Sequence, residues 1–220
     1  KTSAGMQKLV DRLLQMNPEL EIMIIAYREY DCKTIDRMLS YSNDPKKLRA
    51  FIADLSLQGN LTVDEAVECG LEYTLKAKPD MAILIGDAQP HGVGNCAPAT
   101  EWQRHYPSLT IRKYEDVCHD LKKNRVVVHT IVTSEEEEAV LSFREIADIT
   151  GGHAFILNDM DILIDLICGL YAKTSEKMPD LREIFKNEAM ASPSRQLTSG
   201  QQTVLKLLGA GEGSSPVPST

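Results

Sequence analysis

No apolar run in this chain approaches the ~20 residues that a membrane-spanning helix needs, and no leader-peptide pattern follows Lys1. Basic clusters are missing as well. Lys and Arg number 24 against 32 Asp and Glu, a net charge of −8. Such a surface repels phosphate, so neither nucleic acid nor an anionic membrane is expected as a partner. Cysteines are few, odd in number and widely spaced, at 32, 69, 96, 118 and 168. That argues against a disulfide framework and for a reducing, cytoplasmic setting. Catalytic signatures are lacking too: there is no G-x-S-x-G elbow, no Walker loop and no G-x-G-x-x-G. The run His91-Gly92-Val93-Gly94 is no phosphate cradle, because no helix opens straight after it. No internal repeat is found.

What is present is an alternation of helical and strand-like segments. Apolar positions at Met6, Leu9, Val10, Leu13 and Leu14 have helical spacing over 6–16, stopped by Asn17-Pro18. The nearly continuous apolar run 20–27 reads as a strand buried on both faces. A short edge strand is expected over 35–41. Asp44 and Pro45 open a helix over 46–56. Thr62, with Glu65 three residues on, has the spacing of a capping box for a helix over 63–76. A strand at 81–86 is followed by an irregular stretch, 87–110, of the length that is usually functional or disordered. Then come a helix over 112–123, a strand over 126–132, a helix over 135–149, a strand over 153–157 and a helix over 159–173 capped by Asn158. The acidic run 135–138 sits at a helix start, where it complements the dipole. This alternation implies right-handed crossovers and a parallel sheet covered on both faces. One more helix is expected near 179–187. From Ala191 on, Ser, Pro, Gly and Gln dominate and read as a disordered tail, with a weak helical patch at 204–208.

Asp87 closes the strand MAILIGD just before the turn formers Ala88-Gln89-Pro90-His91-Gly92. In an open parallel sheet, ligands bind just past the carboxyl ends of the strands. A carboxylate there is a candidate hard-cation ligand, although Asp also caps turns. His91, Cys96, His105, Cys118 and His119 have the right types for zinc, but their spacing matches no compact ligand pattern. Asp159 and Asp161 form a D-x-D after a strand, yet both fall in a helix's first turn, where the dipole favours them anyway.

Five segments, in order, resemble a von Willebrand factor type A (vWA) domain of the intracellular subgroup that includes the A domains of alpha-type protein kinases. They are IIAYREYD at 24–31, GNLTVDEAV at 59–67, ILIGDAQPHG at 83–92, the strand 126–132 and IADITGGHAF at 146–155. The resemblance covers roughly residues 1–172. It implies an α/β, doubly wound, mostly parallel, Rossmann-like sheet. It also implies a metal-ion-dependent adhesion site on three loops at the carboxyl edge. Thr62 matches the threonine of the second loop and Asp87 the aspartate of the third. The first-loop motif D-x-S/T-x-S does not occur, so the chain is expected to begin just after it and to lack the first, central strand. Six buried apolar residues at ~1.5–3 kcal/mol each are worth roughly 10 kcal/mol, as much as a typical domain's net stability of about 5–15 kcal/mol. This chain is therefore expected to fold poorly alone and to bind Mg²⁺ or another divalent cation weakly.

The expected organisation is a vWA-like domain over 1–175, a helical extension over 176–190 and a tail over 191–220. The expected function is a binding module that recruits a partner protein by letting its carboxylate complete the cation's shell. Glu29, Asp31, Gly59, Asn60, His91, Trp102 and Tyr106 are the expected partner-contacting residues. Two alternatives stand beside it. The chain reads alternatively as the regulatory vWA portion of a larger enzyme such as an alpha-type kinase, or as a small α/β hydrolase or phosphatase.

Overall fold

The computed structural model describes residues 2–30, 36–55, 65–94, 97–108, 111–157, 159–175, 181–191 and 196–208. The elements in chain order are α1 (Thr2–Met16), β1 (Ile22–Tyr27), β2 (Asp36–Ser42), α2 (Pro45–Asp54), α3 (Val67–Ala77) and β3 (Met81–Gly86). A short 3₁₀ helix (Ala99–Arg104) follows, then α4 (Tyr114–Lys123), β4 (Val127–Val132), α5 (Glu137–Thr150) and β5 (Ala154–Ile156). The last three are α6 (Met160–Thr174), α7 (Leu181–Ala191) and α8 (Ser199–Leu207). The fold is mixed α/β. Among the described residues the strands form two sheets: β1 and β2 pair antiparallel, and β3, β4 and β5 form a parallel sheet in that order. No helix of the described residues is long and apolar enough to cross a membrane.

The chain divides into two compact units, Asn17–Asn158 and the pair Lys1–Met16 with Asp159–Thr220. In the first, the core lies between the parallel sheet and helices α3, α4 and α5. Leu71, Leu84, Val117, Leu121, Val128, Phe143 and Ile146 pack together there and are almost wholly buried. The register Met81↔Val127 through Gly86↔Val132 aligns β3 and β4 over their full length, which brings their carboxyl ends to one rim. The second unit gathers α1, α6, α7 and α8. The Arg12 guanidinium joins Glu188 at 2.6 Å and also Asp165.

Local chemistry explains several boundaries. Asp44 accepts from the amides of Lys46 (2.8 Å) and Lys47 (3.4 Å), with Pro45 at the first helical position. Helix α5 closes at Gly151, and Gly152 then passes directly under β4. A Cβ on Gly152 would stand 2.0 Å from the Val128 carbonyl oxygen, so only glycine fits this approach. Beside it, the Thr150 hydroxyl accepts from the Val128 amide at 3.2 Å. The T-G-G turn is thus the joint between α5 and the sheet.

The structure corrects three expectations. Strand β1 is half-buried along its length rather than buried on both faces, because it belongs to a two-stranded antiparallel ribbon and not to the parallel sheet. Helix α3 starts at Val67, four residues later than its pattern suggests, because the preceding amides bond elsewhere: Glu65 donates to the Gln89 carbonyl and Ala66 to the Arg28 carbonyl, both at 3.1 Å. Helix α8 contains most of the helical patch expected at 204–208 and extends it back to Ser199, within the stretch otherwise read as a tail. It is opened by a capping box in which the Thr198 hydroxyl accepts from the Gln201 amide and the Gln201 side chain accepts from the Thr198 amide. The expected Thr62 and Asn158 caps lie outside the described residues.

Candidate functional site

Three segments converge at the carboxyl ends of β1 and β3. They are Arg28–Tyr30 after β1, Glu65–Glu68 leading into α3, and Asp87–His91 after β3. Their union follows from the two bonds that displace the start of α3, since residues 65 and 66 tie the segment after β3 to the segment after β1.

At the centre is His91, 5 % exposed. Its Nε2 lies 3.0 Å from Glu29 Oε1 and its Nδ1 lies 3.1 Å from Glu68 Oε1. Two ring nitrogens facing two carboxylates require both to donate, which makes the ring an imidazolium. Burial works to lower the His91 pKa, but the hydrogen bonds and charges of Glu29 and Glu68 outweigh it and raise it to about 10. The Tyr30 amide also donates to Glu29 Oε1, at 2.6 Å. Glu68 occupies the first turn of α3, where the helix dipole favours a negative charge.

This cluster is nearly closed to solvent, yet it is not fully satisfied. Glu29 Oε2, Glu68 Oε2 and the Tyr30 hydroxyl are buried without a well-formed hydrogen bond. The hydroxyl stands beside Glu68; burial first, then the charge of Glu68, pushes the Tyr30 pKa above its ordinary value. An ionic cluster in a protein interior is an expensive arrangement for stability alone.

An aromatic wall covers the cluster. The Tyr30 ring lies 4.9 Å from His91, 5.6 Å from Trp102 and 5.9 Å from Tyr106, centroid to centroid. The Tyr106 hydroxyl donates to the Tyr30 carbonyl. Trp102 and Tyr106 therefore fold inward and pin the long loop after β3 against Tyr30.

Asp87 is exposed. It shares a cleft of about 210 Å³ with Glu65, Ile25, Ala26, Tyr27, Ile85 and Gly86. Burial, then the charges of Glu65, Asp87 and Glu68, raises the Tyr27 pKa. Asp87 and Glu65 are the oxygen-bearing acidic groups of this cleft, and Mg²⁺ demands near-octahedral oxygen coordination. Among the described residues no group of three His, Cys, Asp or Glu is placed to hold a metal ion. The described residues alone therefore do not make a cation cradle.

Of the sequence-derived site residues, Asp87 stands at the rim. Glu29 and His91 are buried, and Trp102 and Tyr106 are half-buried. Thr62, Asp31, Gly59 and Asn60 lie outside the described residues. The zinc alternative is not assembled: His91 is engaged by two carboxylates, Cys118 is buried in the core of α4, His119 is exposed, and Cys96 is outside the described residues. Sequence reasoning missed Tyr30, Glu65 and Glu68 as members of the site. Glu65 reads in the sequence as half of a capping box, and Glu68 and Tyr30 carry no signal of their own.

No protein-family model matches the chain, and no curated protein matches it. Among solved structures, one similar chain is an uncharacterized membrane spanning protein from Vibrio fischeri. It is 15 % identical over 78 % of this chain and 84 % of that chain, with a TM-score of 0.26. A likeness that loose carries no argument about this protein.

Proposed function

We propose that this chain is a protein-binding module of vWA-like architecture, and that its contact surface is the rim at the carboxyl ends of β1 and β3. One observation carries the reading: loops from three separate parts of the chain meet at that rim, with exposed Asp87 and half-buried Glu65 in one cleft and the buried Glu29–His91–Glu68 cluster tying the three together. Function gathers on loops held by a rigid scaffold, and a buried ionic brace holds these three in one arrangement. The partner offers a carboxylate, and a divalent cation at Asp87 with Thr62 is the bridge. Two such side chains fill too few positions for tight binding, so the affinity of the isolated chain for Mg²⁺ is on the order of 1 mM or weaker.

Paramagnetic line broadening of the amide resonances by Mn²⁺ tests this. Broadening centred on Asp87 and the loops beside it, and lost in Asp87→Ala, is the expected result. Broadening that ignores Asp87 overturns it. Turnover of p-nitrophenyl phosphate or acetate that disappears in Asp87→Ala would favour a hydrolase instead.

A further inference from the structure

Helix α8 lies on its unit as a ligand lies on a receptor. Its buried residues are Gly200, Gln201, Val204 and Leu208. At about 100° per residue they share one face. A Cβ on Gly200 would stand 2.7 Å from Asp165 Oδ2 and 3.7 Å from Ile162 Cγ1. At the other end Lys173 Nζ donates to the Leu208 carbonyl at 3.1 Å. Ile162, Asp165 and Lys173 fall on one face of α6 by the same spacing, so α8 runs parallel to α6 from its first turn to its last. Gln201 reaches across to α7 and donates to Glu188 Oε2 at 2.7 Å.

The polar groups that α8 touches do not depend on it. Arg12 holds both Asp165 and Glu188, and neither bond involves α8. Lys173 is exposed and Glu188 is partly so, and water can replace the Leu208 carbonyl at the one and Gln201 at the other. Release of α8 therefore strands no buried charge, which is what most strongly opposes the departure of a segment. Two large apolar anchors, Val204 and Leu208, and the close fit at Gly200 hold it in place. The helix has nine residues, fewer than the ~12–15 that a helix needs to persist alone in water. On either side of it, 192–194 and 209–216 are mostly Ser, Pro and Gly, a composition with little apolar surface of its own to bury.

We propose that the face of α6 and α7 under α8 is a docking groove for short helices, that α8 is its built-in occupant, and that a partner protein's helix of the same signature takes its place. Grooves of this kind read an amphipathic helix through anchors at fixed spacing. The partner's chemistry is written in α8 as Thr-x-Gly-Gln-x-x-Val-x-x-x-Leu. Glycine clears Asp165, whose carboxylate Arg12 holds in place. Glutamine finds Glu188. Valine and leucine fill the apolar floor. Threonine caps the helix start, and the positive end of the helix faces Asp165 and Glu188. An occupant tethered on the same chain acts at an effective concentration of about 1 mM, so it fends off weak ligands and yields to tight ones. The groove belongs to the unit of α1, α6, α7 and α8, and its occupation does not depend on the reading of the rim.

A fluorescein-labelled peptide of residues 196–208, titrated into the full 220-residue chain, tests this. The Val204→Asp chain cannot seat its own α8. It should bind the peptide at least about tenfold more tightly than the parent chain does, because the tethered competitor is gone. The same peptide carrying Val204→Asp should bind neither chain. In the parent, amide exchange at rising urea should show α8 opening in a step of its own, before α6. No binding to the Val204→Asp chain at about 1 mM peptide, or equal binding of the two peptides, overturns the proposal. So does exchange in which α8 and α6 open only together; that measurement needs no variant and decides the matter even where Val204→Asp fails to fold. A dimer of the parent chain that comes apart in Val204→Asp would make the occupant a second copy and overturn the partner reading.

Discussion

The imidazole of His91 and the carboxylate of Glu29 meet at 3.0 Å with both side chains nearly sealed from water, 3 % and 1 % exposed. Glu68 takes the other ring nitrogen at 3.1 Å. The ring thus joins the segment after β1, the first turn of α3 and the loop after β3 through a single proton-bearing group. Its protonation state is a property of the whole rim.

That state sets a pH dependence. The His91 pKa rises from 6.5 unfolded to about 10 folded. A raised pKa stabilises the fold fully below the unfolded value, and the stabilisation is lost as pH climbs through the folded value. Urea midpoints measured from pH 6 to 10 should fall steadily above about pH 6.5. In His91→Gln the same window should be nearly flat. Above pH 10 the phenols of Tyr27, Tyr30 and Tyr114, all raised, add a loss of the same sign, so the comparison belongs below it.

Removing one member of the cluster should cost more than removing its charges together. His91→Leu leaves two carboxylates buried and facing each other, and should destabilise by about 3–5 kcal/mol. The triple variant Glu29→Gln, Glu68→Gln, His91→Gln has no buried charge and should recover much of that loss. Denaturant unfolding of the single and triple variants checks this, and additive losses would contradict an ionic brace.

Much of the fold was legible from local signals. Periodicity and caps placed α2, β3, α4, β4 and α5 within a few residues, because their apolar stripes and end signals agree with their packing. The Asp44-Pro45 start and the T-G-G stop are chemistry carried by adjacent residues. What was not legible depends on residues far apart. Glu29 and His91 are separated by sixty-two positions and Glu68 lies between them, so nothing in the spacing announces their meeting. The late start of α3 was hidden because Thr62 and Glu65 form a sound capping pattern, and the competing acceptors, Arg28 and Gln89, belong to other segments. The antiparallel pairing of β1 was hidden by an apolar run that suits either kind of sheet. Of helix α8 only the patch at 204–208 is read from the sequence; its start is marked by the Thr198–Gln201 capping box, which the surrounding Ser, Gly and Pro composition obscures.

Gly152 should be intolerant of any side chain. With 2.0 Å to the Val128 carbonyl oxygen and 2.6 Å to its carbon, the obstruction is strand backbone, which cannot rotate away. Gly152→Ala should cost at least about 1–3 kcal/mol, the range for overpacking. The amides of β4 should exchange faster. An alanine variant as stable as the parent would mean that the joint between α5 and β4 is looser than the Thr150–Val128 bond implies.

In the unit of α1, α6, α7 and α8, Arg12 holds the comparable position. Its Nε and one terminal nitrogen fork onto Glu188 at 3.2 and 2.6 Å, and the other terminal nitrogen bonds Asp165. Its plane lies 5.8 Å from the Phe185 ring centroid. Gln201 of α8 donates to the same Glu188 carboxylate at 2.7 Å. A planar fork suits this arrangement, and a lysine's point charge cannot serve two carboxylates and a ring face together. Arg12→Lys should therefore destabilise measurably although charge is kept. Arg12→Ala should cost about 3 kcal/mol, the low end for a broken buried pair, because Glu188 is 34 % exposed and water screens part of its charge. Exchange rates of the α7 amides in the two variants decide between packing and charge: equal acceleration would show that the fork and the ring contact matter more than the charge itself.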